Sequence, residues 1–255
     1  MPAPLIAQSP YIFPSLPRCT VLGSITFYAV RGSEAGYVWS LQTNQSGGSI
    51  NPSTGVYTAG NKLHTVDTVK VTDSLGNIAT REVRVTDGPT LAYLRNTCKE
   101  RTDLVHSTHI SDTEWNGYIN SSAKELYDLV VSAYENDYNV AEPYQFMTDG
   151  QTQRYPLPPD FFKLLAVDVQ TTNEQSGWVP VTRMNRGERA RYMAPFQTYY
   201  GGTPGISASL RYKLEANNLW LLPTPTGGQW IQVLFVPLAT EMKADTDVLY
   251  AVNGW

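Results

Sequence analysis

The strongest constraint in this chain is a period of two that runs from Thr20 to Asp87. Ile25 and Phe27 alternate with polar neighbours, Tyr37, Trp39 and Leu41 share one face, and Val56, Val69, Val71, Val83 and Val85 continue the pattern. Successive side chains of a strand point to opposite faces, so this alternation predicts strands with one side buried. The runs are short and are separated by Gly, Asn and Pro, which predicts a small β-sandwich over 20–88. Asp87-Gly88-Pro89 ends it, because Pro cannot continue a central strand, and a domain boundary is expected there.

After Pro89 the period changes. Thr90 is placed to cap a helix carrying Leu91, Leu94, Cys98 and Leu104 on one face. Ser111 with Glu114 three residues later reads as a capping box for a second helix, expected from Asp112 to Asp137. Its apolar stripe would be Trp115, Tyr118, Ile119, Leu126, Leu129, Val130, Ala133 and Tyr134, with Asn116, Asn120, Lys124, Glu125 and Asp128 opposite. Beyond Glu142 strands return: Phe161 to Val169 after a Pro-rich turn, Leu210, Tyr212 and Leu214 in alternation, Asn217-Asn218 turning into Leu219 to Leu222, and Trp230 to Val236. The expected fold class is therefore α+β and multidomain. It comprises an extended N-terminal arm at 1–19, the sandwich at 20–88, and a third part at 89–255 that combines a helical bundle, with helices about 90–138, and a β-rich sheet or barrel about 153–240.

Composition narrows the function. The 255 residues carry 16% charged side chains against a usual value of about 25%, together with 16 Tyr and 6 Trp, which favours a folded chain with amphipathic contact faces. A net charge of −4 argues against a surface that grips nucleic acid throughout. The start, MPAPLIAQSPYIFPSLPRC, lacks an early positive charge and is broken by five prolines, which predicts an arm in place of a secretory leader. No apolar run approaches the roughly 20 residues that span a bilayer, so no membrane partner is expected.

Cys19 and Cys98 are read as free thiols. His106 and His109 sit three apart, compatible with a shared helical face, but no further ligands complete a metal set. There is no nucleophile elbow, phosphate loop or zinc-protease motif. The expectation is a protein that is not an enzyme, with no catalytic residue, cofactor or metal.

The densest charge feature is Arg183, Arg186, Arg189 and Arg191, interleaved with Met184, Glu188 and Tyr192 on a segment, Arg186 to Gly205, read as a long loop that also holds Tyr199 and Tyr200. Arginine forks suit phosphates and carboxylates alike, and Arg with aromatics is also an interface composition, so phosphate contact and subunit contact both stay open. The length of the loop favours contact with a subunit or partner through Arg183, Arg186, Arg189, Arg191, Tyr192, Tyr199 and Tyr200.

Two resemblances organise these observations. The run YVWSL, then GSINPSTGVYTAG, then DTVKVTDSLGNIATREVRV resembles a bacterial immunoglobulin-like domain, with Trp39 as its core aromatic and Asp73 to Asn77 as its last hairpin turn. Such domains bind or space other proteins and catalyse nothing. From Leu91 to Trp255, LYDLVVSAYENDYN, YPLPPDFFKLLAVDV, WVPVTRMNRGERARY, LRYKLEANNLWLLPTPTGGQWIQVLFVPLATEM and DVLYAVNGW resemble, in order, head-to-tail adaptor proteins of short-tailed bacteriophages.

That resemblance implies a structural virion protein that forms a dodecameric ring with copies of itself between the portal protein and the tail. The ring would extend the DNA channel without sequence-specific binding and seat tail nozzle or fibre proteins. It would be assembled in the host bacterial cytoplasm and located at the head-tail neck. Relatives continue past a motif like Asn253-Gly254-Trp255 into another helix that helps dock on the portal. The alternative expectation is a cell-surface or carbohydrate-binding accessory protein, acting through the immunoglobulin-like domain.

Overall fold

The computed structural model describes residues 9–33, 36–106, 109–134, 141–170, 177–184 and 210–249. Strands dominate these residues, accompanied by two helices. The chain divides into two compact units, one built on Ser9–Asn139 with the segment from Pro237 onward, the other on Val140–Val236.

The first unit opens with β1 (Tyr11–Phe13), β2 (Arg18–Cys19), β3 (Ser24–Thr26), β4 (Tyr28–Val30), β5 (Val38–Thr43), β6 (Ser49–Ile50), β7 (Val56–Thr58), β8 (Thr65–Thr72) and β9 (Ile78–Val85). One sheet has the order β2-β9-β8-β5 and another β3-β7-β6, while β1 pairs with β4. Ile12, Cys19, Phe27, Trp39, Tyr57, Val69, Val71, Val83 and Val85 form a single core drawn from both larger sheets. Residues 11–19 of the expected arm thus supply two strands, and the guanidinium of the buried Arg81 donates to Ile12 O at 3.1 Å. One inward assignment is corrected: Tyr57 is buried and Val56 is exposed, because the pairing of β3 with β7 sets Tyr57 opposite Ile25.

Turn chemistry fixes the registers. Asn51 Oδ1 accepts from the backbone of Ser53 and Thr54, and Gly55 follows at φ +70°, where a Cβ would stand 2.5 Å from Phe27 O. The Asp73 carboxylate accepts from Ser33 N, Leu75 N, Asn77 N and Asn77 Nδ2, closing the β8–β9 hairpin.

Helices α1 (Leu91–Arg101) and α2 (Asp112–Ala133) follow. Thr90 caps α1, and Ser111 with Glu114 forms the reciprocal capping box at α2. Leu104 lies beyond α1, which is capped at Thr102. The buried stripe of α2 is Trp115, Ile119, Asn120, Tyr127 and Val131, whereas Tyr118, Leu129, Ala133 and Tyr134 are exposed. The stripe is rotated from the expected one because polar Asn120 faces inward. Its Nδ2 donates to Met242 O at 2.9 Å and its Oδ1 accepts from Met242 N at 3.0 Å, so it stands in for a strand partner. Tyr127 Oη donates to Pro237 O, and Arg95 meets Asp245 at 2.9 Å. Residues 237–249 are therefore tied along both helices. Gly88 lets the two segments come this close: a Cβ there would stand 2.4 Å from Val248 Cγ1, so a side chain would force Val248 to move.

The second unit contains β10 (Tyr144–Met147), β11 (Arg154–Pro156), β12 (Phe161–Gln170), β13 (Trp178–Pro180), β14 (Thr182–Arg183), β15 (Arg211–Glu215), β16 (Asn218–Leu222) and β17 (Trp230–Pro237). They form two four-stranded sheets, β10-β17-β12-β13 and β11-β16-β15-β14. Phe146, Val167, Val169, Leu219, Leu221, Ile231, Val233 and Phe235 are buried. Phe146 stacks on Tyr155 with centroids 4.6 Å apart, bringing a residue of one sheet against a residue of the other. The Ala216-Asn217 turn joins β15 to β16 as a two-residue hairpin, with Glu215 paired to Asn218.

Candidate contact face around Trp220

In the sheet β11-β16-β15-β14, Trp220 is paired with Arg154 on one side and Lys213 on the other. Directly paired side chains lie on one face about 5 Å apart, so the ladder itself delivers both cations to the indole. The Arg154 guanidinium carbon is 4.6 Å and Lys213 Nζ 3.6 Å from the ring centroid. Glu215, two positions along β15 and so on the same face, meets Lys213 at 3.0 Å and Arg154 at 3.8 Å. Trp220 Nε1 donates to Gln153 Oε1 at 3.1 Å, and Gln153 Nε2 donates to Thr224 Oγ1. The ring is only 6% exposed and packs with Met184 and Leu222.

An aromatic ring attracts a cation through its quadrupole, by about 0.5–1 kcal/mol where water competes. The face thus gathers Trp, Arg and Lys around one carboxylate.

Arg183 is part of β14, whose register is parallel to β15 and pairs it with Tyr212. Alternation places Arg183 and Tyr212 on the opposite face from Trp220 and Lys213. Burial raises the Tyr212 phenol above its ordinary pKa, and the nearby positive Arg183 offsets part of that rise. Arg186, Arg189, Arg191, Tyr192, Tyr199 and Tyr200 lie outside the described residues, in the connection from β14 to β15. Sequence reasoning passed over Arg154, Lys213, Glu215 and Trp220. The signal for Lys213, Glu215 and Trp220 was the hairpin RYKLEANNLWLL: folding it at Ala216-Asn217 puts Lys213 opposite Trp220.

In the first unit, a buried polar knot supports the core. Asp67 accepts from Ser46 N at 2.8 Å, Ser46 Oγ at 2.5 Å and Tyr57 Oη at 2.6 Å. Burial pushes its carboxyl up, but the donors from Ser46 and Tyr57 outweigh that and hold it below the usual range. Cys19 and Cys98 are free thiols, and burial pushes the Cys19 thiol up to about 12. His106 and His109 are exposed in the turn before α2, so helical spacing does not apply to them. Among the described residues no group of three or more His, Cys, Asp or Glu is arranged to hold a metal ion, and no helix is long and apolar enough to cross a membrane.

No protein-family model matches the chain. No curated protein matches it either. Among solved structures, a C-terminal 282-residue fragment of intimin, in complex with the intimin-binding domain of the translocated intimin receptor, is 21% identical with a TM-score of 0.27. The match covers 37% of this chain and 40% of that fragment.

Proposed function

We propose that this chain is a structural virion protein, a ring-forming adaptor between portal and tail, whose N-terminal sheets are an immunoglobulin-like module. The observation that carries the reading is the Trp220 face, where Arg154 and Lys213 cover a nearly buried indole and Glu215 pairs with both, on a sheet whose strands β14 and β15 precede and follow the Arg- and Tyr-rich segment 185–209 in the sequence. A ring requires two different complementary patches on each subunit, because the contact is heterologous and repeats around an axis. Indole and guanidinium groups are enriched where interfaces draw most of their energy. The identity of the neighbours comes from the ordered resemblance over Leu91 to Trp255. Two helices, the Pro-Pro-Asp-Phe turn into β12, the β15–β16 hairpin and β17 follow one another in that order.

Light scattering on the purified chain mixed with its portal protein tests the reading. A ring-sized complex that Lys213→Glu weakens is the expected result. A persistent monomer without portal binding would refute it.

A further inference from the structure

We infer that the acidic outer face of α2 in one copy of the chain docks on the Trp220 face of the next copy. The inference rests on the ring reading and names the second of the two patches that a ring needs. Residues three and four apart are neighbours on a helix surface. Tyr118, Ser121, Ser122, Glu125, Asp128 and Leu129 follow that spacing, away from the buried stripe of the helix, and every one of them is exposed. At 1.5 Å per residue the face runs about 16 Å along α2.

Its composition is that of an unfilled contact. Tyr118 is 60% exposed and Leu129 68%, the highest value among the large apolar side chains described. A single exposed leucine needs no explanation, but these two stand at the ends of a face whose middle is two serines and two carboxylates. Among the described residues neither the Glu125 nor the Asp128 side chain makes an ion pair or a hydrogen bond, although Lys124 is one turn from Asp128.

The Trp220 face supplies the complement. The Arg154 side chain is 61% exposed, and the indole and Glu215, at 3.8 Å, fix where its guanidinium stands. No acceptor among the described residues lies within hydrogen-bond distance of that guanidinium, whose planar fork of donors matches a carboxylate. Arg154 and Lys213 stand 4.6 Å and 3.6 Å from one ring centroid, a separation on the scale of two carboxylates one helical turn apart, whose Cβ atoms are about 5–6 Å from each other. Ser121 and Ser122 are small enough to admit the Arg154 stem, and the apolar stems of both cations cover Tyr118 and Leu129.

Other occupants of the α2 face fit less well. A second α2 would set carboxylates against carboxylates, and a nucleic acid would set phosphates against them. The two patches belong to different units of the chain and so do not overlap, as a heterologous contact requires.

Sedimentation of the full chain, alone and with its portal protein, tests the contact with two variants. One carries Glu125→Lys and Asp128→Lys, the other Arg154→Glu; all three residues are exposed, so the substitutions leave the fold in place. Each variant alone should self-associate about tenfold or more weakly than wild type. An equimolar mixture of the two should recover wild-type association, because the reversed sheet of one meets the reversed helix of the other. Recovery on mixing separates a lost contact from a lost fold, since unfolded chains do not restore each other. Wild-type association of the helix variant, or a mixture no better than its components, would overturn the inference and leave the ring reading standing. A wild-type chain that stays monomeric with and without portal would overturn both.

Discussion

Trp39 and Trp220 are covered almost equally, at 4% and 6% exposure, yet by opposite means. Trp39 stands among Phe27, Tyr57 and the valines of two sheets, with the backbone of Gly55 against its ring. Trp220 is covered by Arg154 and Lys213. The carboxylates repeat the contrast. Asp67 is fully buried with its donors in the first unit, whereas Asp149 collects its donors at the surface of the second. Low exposure by itself does not distinguish an indole sealed by apolar groups from one covered by charges; the groups that exclude water do. Apolar neighbours cannot be exchanged without a cavity, while charged ones can be exchanged for a partner's charges.

The largest effect is expected where the cover is apolar. Trp39→Ala should cost about 3–5 kcal/mol of stability, from lost transfer energy and an unfilled cavity between the sheets. Urea unfolding of the full chain measures it. A loss under 1 kcal/mol would mean that the two tryptophans are not different in kind. Asp67→Asn comes next, at about 1.5–3 kcal/mol, because one carboxylate oxygen becomes an amide that must face the donors from Ser46 and Tyr57. It also has a pH signature. The folded carboxyl is held below its ordinary pKa, so its contribution is complete above an unfolded value of about 3.9 and is lost as pH falls through the lower folded value. The stability gap between wild type and Asp67→Asn should therefore narrow in acid.

The long core strands and the helix caps were legible because each has a local signal, whereas β1 and β2 were read as part of an arm. Trp39, Val69, Val71, Val83 and Val85 point inward as alternation requires, and Thr90, Ser111 and Glu114 cap their helices as their spacing predicts. The misplaced features depend on tertiary partners. Asn120 reads as polar and outward until Met242, 122 positions away, offers it a backbone edge. Arg95 is likewise buried only because Asp245 and Asn116 meet its guanidinium. Val56 and Tyr57 are adjacent, and the cross-strand register decides which turns inward. The Trp220 face was half legible. Its hairpin was visible in the sequence, but Arg154 comes from a strand more than fifty positions earlier, and no local pattern pairs it with Trp220.

Lys213→Ala tests the exchangeable cover. Removing one cation from the indole should cost less than about 1 kcal/mol of stability, while releasing the Lys213–Glu215 pair that shapes the face. Self-association measured by sedimentation should weaken clearly more than unfolding shifts. If stability falls as far as for Trp39→Ala, the cations are part of a core and the contrast fails.

Asp149 gives the smallest effect and the sharpest comparison with Asp67. Its Oδ1 accepts from Gln151 N at 2.9 Å and Thr152 N at 2.7 Å, and Thr152 Oγ1 donates to Oδ2. Partial burial pushes the carboxyl up, but these donors and Tyr155 Oη bring it down to about 2 from its ordinary 3.8. The turn is exposed, so water takes over most of what the donors supply when it opens. Its contribution is present above pH 3.8 and lost as pH falls toward 2. Thermal melts of wild type and Asp149→Asn should differ slightly at neutral pH and converge in acid, with a smaller gap throughout than for Asp67→Asn. An Asp149 gap equal to that of Asp67 would mean that strong hydrogen bonds stabilise alike in water and in the interior, and the distinction between the two units would then rest on the tryptophans alone.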